Sequence, residues 1–213
     1  LGHYERYLNI STSQANNVTT GRIYQTVINK EREGAYLGKT VQIIPHITDE
    51  IKRRIQLLET TGDYDIIITE LGGTVGDIES LPYLESLRQM RRELKRHECM
   101  VIHLTLIPYL RAAGEHKTKP TQHSVKELQM AGIIPDVLVC RTESHISDEI
   151  KAKLSLFCNV EEDHVIEAID ADTIYRVPVL MQEEKLDQIV IERLKLSPKH
   201  SPDMARWNTF LNR

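Results

Sequence analysis

The chain has 213 residues, of which 40% are hydrophobic and 27% charged, a balance that excludes disordered and fibrous proteins. Its 27 basic and 31 acidic side chains give a net charge of −4, whereas nucleic-acid-binding domains carry a basic excess. No apolar run approaches the roughly 18 residues that a membrane span needs. We therefore expect one compact domain, with neither nucleic acid nor a membrane as partner.

The three cysteines, Cys99, Cys140 and Cys158, lie among apolar neighbours at a spacing that matches no zinc or redox motif. This pattern predicts buried, reduced thiols and a cytoplasmic protein. The sequence carries no signal peptide and begins at Leu1 rather than at a methionine. We expect that an N-terminal segment is missing from it.

Short apolar runs alternate with amphipathic runs along the chain. Helices are predicted over about residues 22–32 and over residues 47–59, where Thr48 is placed to cap the helix. Between them, residues 41–44 are predicted as a strand that a proline ends. Residues 65–70 follow as a nearly continuous apolar run, which is typical of a parallel strand covered on both faces.

The same alternation continues towards the end of the chain. It predicts helices over residues 80–96, 121–131 and 147–157, strands over residues 100–106, 136–141 and 165–169, and mostly helix over about the last forty residues. Strands that alternate with helices of this length indicate βαβ units. The predicted fold is therefore α/β, with a doubly wound, mainly parallel sheet.

In such sheets, ligands bind beyond the carboxyl ends of the strands. Glu70 ends the apolar run at 65–70 and is followed by the glycine-rich residues 72–79. An acid at this place suits Mg²⁺ bound to nucleotide phosphates, and the glycines let backbone amides approach a ligand. The alternative is an ordinary turn and helix start, with Glu79 as a first-turn acid. The spacing alone leaves both interpretations open.

A second candidate stretch covers residues 114–123, ahead of a predicted helix. Lys117 and Lys119 bracket Thr118 there, and two ammonium groups, a hydroxyl and free helix amides together make an anion site that a triphosphate would fit. The alternative is a solvated charged loop. Pro120 stiffens the segment, which an idle loop does not require.

Two further groups follow the next strands. Arg141 ends one strand and Lys153 lies on the helix after it, although each could be an ordinary surface charge. Residues 169–172 close the last strand, where the backbone could read a base edge or simply form a capped loop. The sequence contains no nucleophile elbow and no Gly-x-x-x-x-Gly-Lys-Ser/Thr phosphate loop. The predicted sheet thus has acids and cations for a nucleotide but lacks the usual phosphate cradle.

These stretches together closely resemble the synthetase (amidoligase) domain of the CTP synthase family. Two runs are highly specific to that family, Gly-Gly-Thr-Val-Gly-Asp-Ile-Glu-Ser at 72–80 and Lys-Thr-Lys-Pro-Thr-Gln at 117–122. The resemblance reaches about residue 196 and thins in the polar tail 197–213. The other matching runs are residues 1–6, 17–24, 36–42, 45–48, 70–82, 114–125, 135–141 and 157–160.

The resemblance implies a fold of the phosphate-loop NTPase type, similar to dethiobiotin synthetase. It implies an ATP-dependent amination of UTP to CTP: ATP phosphorylates O4 of UTP, and ammonia, which the full enzyme takes from glutamine, displaces the phosphate. It also implies Mg²⁺ as cofactor, inhibition by CTP and a cytoplasmic homotetramer.

Residue roles are implied by the resemblance as well. Glu70 resembles a magnesium ligand of the family. Glu70, Lys117 and Lys119 together resemble its catalytic residues. The site for the pyrimidine nucleotide triphosphate is implied for Lys117, Thr118, Lys119, Pro120, Thr121, Gln122 and Lys153. The pocket that reads CTP is implied for Asp77, Ile78 and Glu79. The adenine side of the ATP site is implied for Arg141, Ile169, Asp170 and Ala171.

The chain departs from the family in what it omits. The family's phosphate loop, its second magnesium carboxylate and its glutaminase domain with a Cys-His-Glu triad do not occur in these residues. We therefore expect a partial synthetase domain over residues 1–196 and a tail, 197–213, that leads toward an absent glutaminase domain. Such a chain would by itself neither hydrolyse glutamine nor bind ATP normally.

Two alternatives to an amidoligase stay open. One is a non-catalytic module that binds pyrimidine nucleotides or supports oligomerisation. The other is a different phosphate-loop ligase such as dethiobiotin synthetase, against which the Lys-Thr-Lys-Pro-Thr-Gln run argues.

Overall fold

The computed structural model describes residues 2–62 and 64–212. The length predicts one compact domain, and the structure instead shows two compact units, one up to Met90 and one from Arg91 onward. No helix among the described residues is long and apolar enough to cross a membrane.

The first unit is helical. Its α2 begins where the sequence allows a cap, because the Thr19 hydroxyl accepts a hydrogen bond from the Arg22 amide at 3.3 Å. Its core is formed by Ile23, Val27, Ile47 and Ile51. The helices that begin in this unit are α1 (Gly2–Leu8), α2 (Thr20–Arg32), α3 (Thr48–Ile55) and α4 (Leu81–Glu93), with shorter helical segments at Gln14–Asn16, Ile43–Ile47, Gln56–Thr61 and Ile78–Ser80.

Both strands predicted for the first unit are wrong. Residues 41–44 run into the helical turn Ile43–Ile47, in which Ile44 is itself extended, and residues 65–70 have an irregular backbone. A strand needs a hydrogen-bonded neighbour and a covered face. Neither segment joins a sheet among the described residues. Accordingly, Ile66 and Ile68 are 48% and 89% exposed instead of buried.

The second unit confirms the predicted α/β fold with a parallel sheet. Strand β1 (Ile102–Leu106) pairs in parallel with β4 (Val137–Thr142), which pairs in parallel with β5 (Val165–Ile169). A short antiparallel hairpin, β2 (Tyr109–Leu110) with β3 (Glu115–His116), follows β1. The helices are α5 (Lys119–Met130), α6 (Asp148–Cys158), α7 (Val177–Glu183), α8 (Leu186–Leu194) and α9 (Ala205–Leu211).

Helices cover both faces of this sheet. On one face, side chains of β4 and β5 pack with residues of α5 and α6, forming a core of Ile107, Val125, Leu138, Cys140, Ile146, Leu154, Cys158, Val160 and Val165. On the other face, Val137, Val139 and Ile166 pack against α7 and α8. Each fully buried aliphatic side chain contributes roughly 1.5–3 kcal/mol, so these two layers hold the strand ends in fixed positions.

Two of the cysteines match their prediction. Cys140 and Cys158 are buried in this core as free thiols, and burial raises their pKa values to about 12 and about 11. Cys99 is a free thiol that is only partly buried.

The tail beyond residue 196 is more ordered than its polarity suggests. It contains α9, whose Trp207 and Phe210 contact the ring of Tyr175. The prediction of a mostly helical end to the chain is confirmed by α7, α8 and α9.

Candidate functional site

The glycine-rich loop of the first unit is a tight turn. Gly73 and Gly76 have φ values of +89° and +103°, which glycine adopts without strain. The Asp77 amide donates to the Thr74 carbonyl at 3.1 Å, and the buried Ser80 hydroxyl donates to the carbonyls of Asp77 and Thr74 at 2.8 and 3.3 Å. The spacing of glycine and serine in this motif therefore serves the turn itself.

The candidate ligand residues of this loop point into solvent. Glu70, Asp77 and Glu79 are exposed, and Ile78 is 82% exposed between the two acids. The Tyr4 hydroxyl donates a hydrogen bond to the Glu70 carboxylate. Glu79 lies in the single turn that precedes α4. This position also agrees with the alternative interpretation, in which Glu79 is an ordinary acid at a helix start. Their exposure leaves these carboxylates able to accept bonds from a ligand.

Glu70 fits one position of a magnesium site. Mg²⁺ is held by one or two carboxylates together with phosphate and water oxygens, so a single exposed carboxylate suffices. Within residues 2–62 and 64–212, no three His, Cys, Asp or Glu side chains lie close enough together to hold a metal ion.

The lysine motif of the second unit is anchored to the carboxyl end of β1. The Lys117 amide donates to the Pro108 carbonyl at 2.9 Å, just before α5 begins at Lys119. The buried Thr121 hydroxyl donates to the Leu106 carbonyl at 3.1 Å and contacts the Thr105 hydroxyl at 3.0 Å. These bonds fix the N-terminus of α5 beside the end of the strand.

The six residues of this motif divide into buried and accessible positions. Thr118, Thr121 and Gln122 are buried, and the Gln122 side-chain amide donates to the Thr118 hydroxyl at 3.1 Å. Lys119 and Pro120 are exposed, and Lys117 is half-exposed. The buried members therefore hold the helix start in place, while the lysines remain available to an anion.

Lys117 pairs with the carboxylate of Glu115, a residue to which the sequence assigns no role. The Lys117 ammonium donates to Glu115, and this hydrogen bond lowers the pKa of the Glu115 carboxyl, with a smaller contribution from the charge of Lys153. Lys153, which is exposed on α6, therefore acts on the same place as Lys117. A phosphate would have to displace Glu115 from Lys117.

The ends of β4 and β5 bring the remaining candidates together. Arg141 pairs with Ala168 in the register, and the Asp170 amide extends the ladder by donating to the Thr142 carbonyl at 3.0 Å. The Arg141 guanidinium lies 3.7 Å from the Asp170 carboxylate, and both side chains are 60% exposed. The predicted adenine-side residues thus share one edge of the sheet.

Comparison with known proteins shows the family of the chain. The family described as CTP synthase N-terminus matches residues 1–196. The chain belongs to this family. It is 65% identical over its whole length to a CTP synthase of Flavobacterium johnsoniae, 63% to one of Christiangramia forsetii and 59% to one of Bacteroides thetaiotaomicron. It covers 40%, 39% and 40% of these relatives, so it spans about two fifths of their length.

The family match confirms the resemblance that the motifs indicate, over the span predicted from them. The second unit of this CTP synthase family member places Lys117–Gln122, Arg141 and Ile169–Ala171 at the carboxyl ends of parallel strands. Glu70 and the run Asp77–Glu79 belong to the first unit. The roles of all these residues in binding and catalysis stay predictions.

A buried carboxylate that sequence reasoning also missed shapes the loop after β4. The Glu167 carboxylate, 5% exposed, accepts a hydrogen bond from the Ile146 amide at 2.5 Å and contacts the His145 ring at 2.6 Å. Glu167 shares one face of β5 with the apolar residues Val165 and Ile169, and this position in the sequence marks it as an inward-facing acid.

Proposed function

We propose that this chain forms the synthetase portion of an enzyme that aminates UTP to CTP with ATP. In this reaction ATP transfers its γ-phosphoryl group to O4 of UTP, and ammonia displaces that phosphate, giving CTP, ADP and phosphate. The family match over residues 1–196 carries the proposal. In a protein of the relatives' length, glutamine would supply the ammonia.

The pyrimidine nucleotide would bind at the start of α5. Its triphosphate would displace Glu115 from Lys117 and be neutralised by Lys117, Lys119 and Lys153. The N-terminus of α5 adds its positive dipole to the same place. Catalysis of phosphoryl transfer depends on such positioning and charge neutralisation, so these lysines have the chemistry that the reaction needs.

ATP would approach the same edge of the sheet from the ends of β4 and β5. Arg141 supplies a cation there, and the backbone of Ile169, Asp170 and Ala171 offers polar groups to an adenine edge. Glu70, in the first unit, would hold Mg²⁺, which also takes nucleotide phosphate and water oxygens as ligands. Asp77 and Glu79 would accept bonds from ribose hydroxyls or from the amine of CTP, which supports product inhibition. A homotetramer belongs to the same proposal.

The first test is a calorimetric titration of the folded chain with CTP, UTP and ATP, each with magnesium. We expect CTP and UTP to bind well ahead of ATP, since the lysine motif is intact in the second unit. Binding of ATP ahead of both pyrimidine nucleotides would contradict the assignment of the lysine motif.

The second test is catalytic. A hybrid enzyme is made in which this chain replaces the 213 matching residues of the Flavobacterium johnsoniae CTP synthase, to which it is 65% identical. We expect the hybrid to form CTP from UTP, ATP and ammonia, and its variant with both Lys117→Ala and Lys119→Ala to lose that activity. A folded hybrid that binds CTP but forms none would favour the alternative of a non-catalytic pyrimidine-binding module.

A further inference from the structure

An aromatic cluster joins the C-terminal helix to the turn that follows β5. The Trp207 indole N–H donates to the Tyr175 carbonyl at 2.7 Å. The Tyr175 ring centroid lies 6.1 Å from that of Trp207 and 5.5 Å from that of Phe210, and the last two are 6.0 Å apart. All three rings therefore meet at one point, between residues that are 32 positions apart in the chain.

This contact is built on the segment that carries the proposed adenine side. β5 ends at Ile169, and Asp170 is held by its hydrogen bond to Thr142. Tyr175 lies in the single helical turn Ile174–Arg176, whose start is capped by the Thr173 hydroxyl. The segment from 170 to 175 is thus fastened to β4 at one end and to α9 at the other.

The helix α9 also depends on its contact with Tyr175. α9 has only seven residues, and an isolated helix of that length does not hold together in water. Trp207 and Phe210 are three positions apart, so they share the face of α9 that meets Tyr175. The segment between α8 and α9 is irregular, and these two side chains fasten α9 to the turn after β5.

Arg176 adds a second restraint on the same segment. Its guanidinium donates to the Asp172 carboxylate at 2.7 and 3.0 Å, which closes the turn between Ala171 and Tyr175. Both side chains of this ion pair are exposed, so the pair by itself restrains the turn weakly. The Trp207 bond is partly buried, so solvent screens it less than it screens this ion pair.

We propose that Trp207, supported by Phe210, is a positioning residue that holds the turn at 169–175 in the conformation that accepts adenine. This inference rests on the proposed function, because it uses the assignment of Arg141, Ile169, Asp170 and Ala171 to ATP. Trp207 acts through the Tyr175 carbonyl and not by touching the nucleotide. It sets the affinity for ATP and leaves the pyrimidine site at α5 unaffected.

The size of the effect follows from the fraction of molecules in which the turn is correctly placed. The apparent dissociation constant rises in inverse proportion to that fraction, so a turn that is competent about a tenth of the time binds about tenfold more weakly. We expect Trp207→Ala to raise the KM for ATP about tenfold in the hybrid enzyme. Trp207→Phe keeps the ring contacts but loses the N–H donor, and we expect a rise of about threefold.

The two phenylalanines of the chain provide a matched control. Phe210 and Phe157 are 53% and 50% exposed, but Phe157 lies on α6, outside the cluster. We expect Phe210→Ala to raise the KM for ATP and Phe157→Ala to leave it unchanged. The KM for UTP and kcat at saturating ATP stay within twofold in all four variants, which general unfolding would not produce.

Amide hydrogen exchange of residues 170–176 in the 213-residue chain provides an independent readout. We expect faster exchange there in Trp207→Ala than in the wild type, and no change in β4. Unchanged exchange would overturn the positioning role, whatever the nucleotide results. Faster exchange with an unchanged KM for ATP would show that the turn is held by Trp207 but does not bind adenine, and so overturn the proposed ATP assignment instead.

Discussion

Replacing Glu50 with glutamine tests what stabilises the first unit. The Glu50 carboxylate, whose side chain is 1% exposed on α3, accepts bonds from Lys30 at 3.0 Å, Arg53 at 2.9 and 2.6 Å, and Arg54 at 3.0 Å. Burial by itself would raise the pKa of Glu50, but these three cations outweigh it and lower that pKa from 4.5 to about 2. The folded unit therefore favours the ionised carboxylate strongly.

The pKa shift of Glu50 sets an upper bound on the stability that Glu50→Gln loses. One pKa unit corresponds to about 1.4 kcal/mol, so the drop from 4.5 to about 2 amounts to at most roughly 3 kcal/mol. Lys30 and Arg53 are 41% and 49% exposed, and solvent screens their share. We expect Glu50→Gln to lower the free energy of opening of α2 and α3 by about 2 kcal/mol, which corresponds to about 30-fold faster amide exchange.

The sign of the pH dependence follows from the lowered pKa. Because the folded state binds the proton more weakly than the unfolded state, the stabilisation is fully present above about pH 4.5 and is lost as the pH falls towards about 2. Amide exchange or denaturant unfolding measures stability across this pH window. We expect the stability of the wild type to fall with pH there, and Glu50→Gln to remove this dependence. The neighbouring variant Asp49→Asn serves as control. Asp49 is 61% exposed in its pair with Lys52, so we expect its replacement to lower the free energy of unfolding by less than about 1 kcal/mol. Equal losses in the two variants would refute the reasoning.

Three further changes test the second unit. Lys117→Ala with Lys119→Ala weakens CTP and UTP binding together, measured by calorimetry, because the triphosphate loses two ammonium groups. Thr121→Val lowers the free energy of unfolding by about 1–3 kcal/mol in urea titrations, because the Leu106 carbonyl loses its donor. Cys140 and Cys158 react with a thiol reagent at pH 8 only after unfolding, because burial keeps their pKa values at about 12 and about 11.

Each of these has its own control and contrary result. Lys126→Ala changes an exposed lysine on the same helix and should leave CTP affinity unchanged; an unchanged affinity in the double variant would remove the triphosphate assignment. Thr121→Ser keeps the hydroxyl and should recover most of the stability, so equal losses in the valine and serine variants would place the effect in packing. Rapid modification of Cys140 in the folded chain would show that the sheet opens locally.

Most patterns that depend on neighbouring residues in the chain were predicted well, but the cap expected at Thr48 is wrong, because its hydroxyl donates to the Pro45 carbonyl and α3 begins without a side-chain cap. The bounds of β5 agree with the sequence, and the Ser147 hydroxyl caps α6 by accepting from the Ile150 amide at 3.4 Å, as its position indicates. The parallel sheet of the second unit follows from strands alternating with amphipathic helices, which bury both faces of β4. These elements carry their own periodicity and caps, so local sequence suffices.

Features that depend on distant partners were missed. Residues 65–70 have the composition of a buried strand, but composition cannot supply the neighbouring strand that would pair with them. Docking of α9 was also missed, although Trp207 and Phe210 stand three positions apart in an otherwise polar tail and share a helix face. A pair of large aromatic residues at helical spacing is a signal that the segment packs on something.

The lysine motif shows why a short sequence run can be so specific to one family. Thr118, Thr121 and Gln122 are buried and bond to each other or to β1, whereas Lys117 and Lys119 reach solvent from the same turn of chain. Folding constrains the first group and the proposed ligand constrains the second, so nearly every position is restricted for one reason or the other. The two kinds of constraint separate by experiment, because loss of a buried hydroxyl lowers stability with little change in the ratio of UTP to ATP affinity, while loss of a lysine changes that ratio and leaves stability almost unaltered.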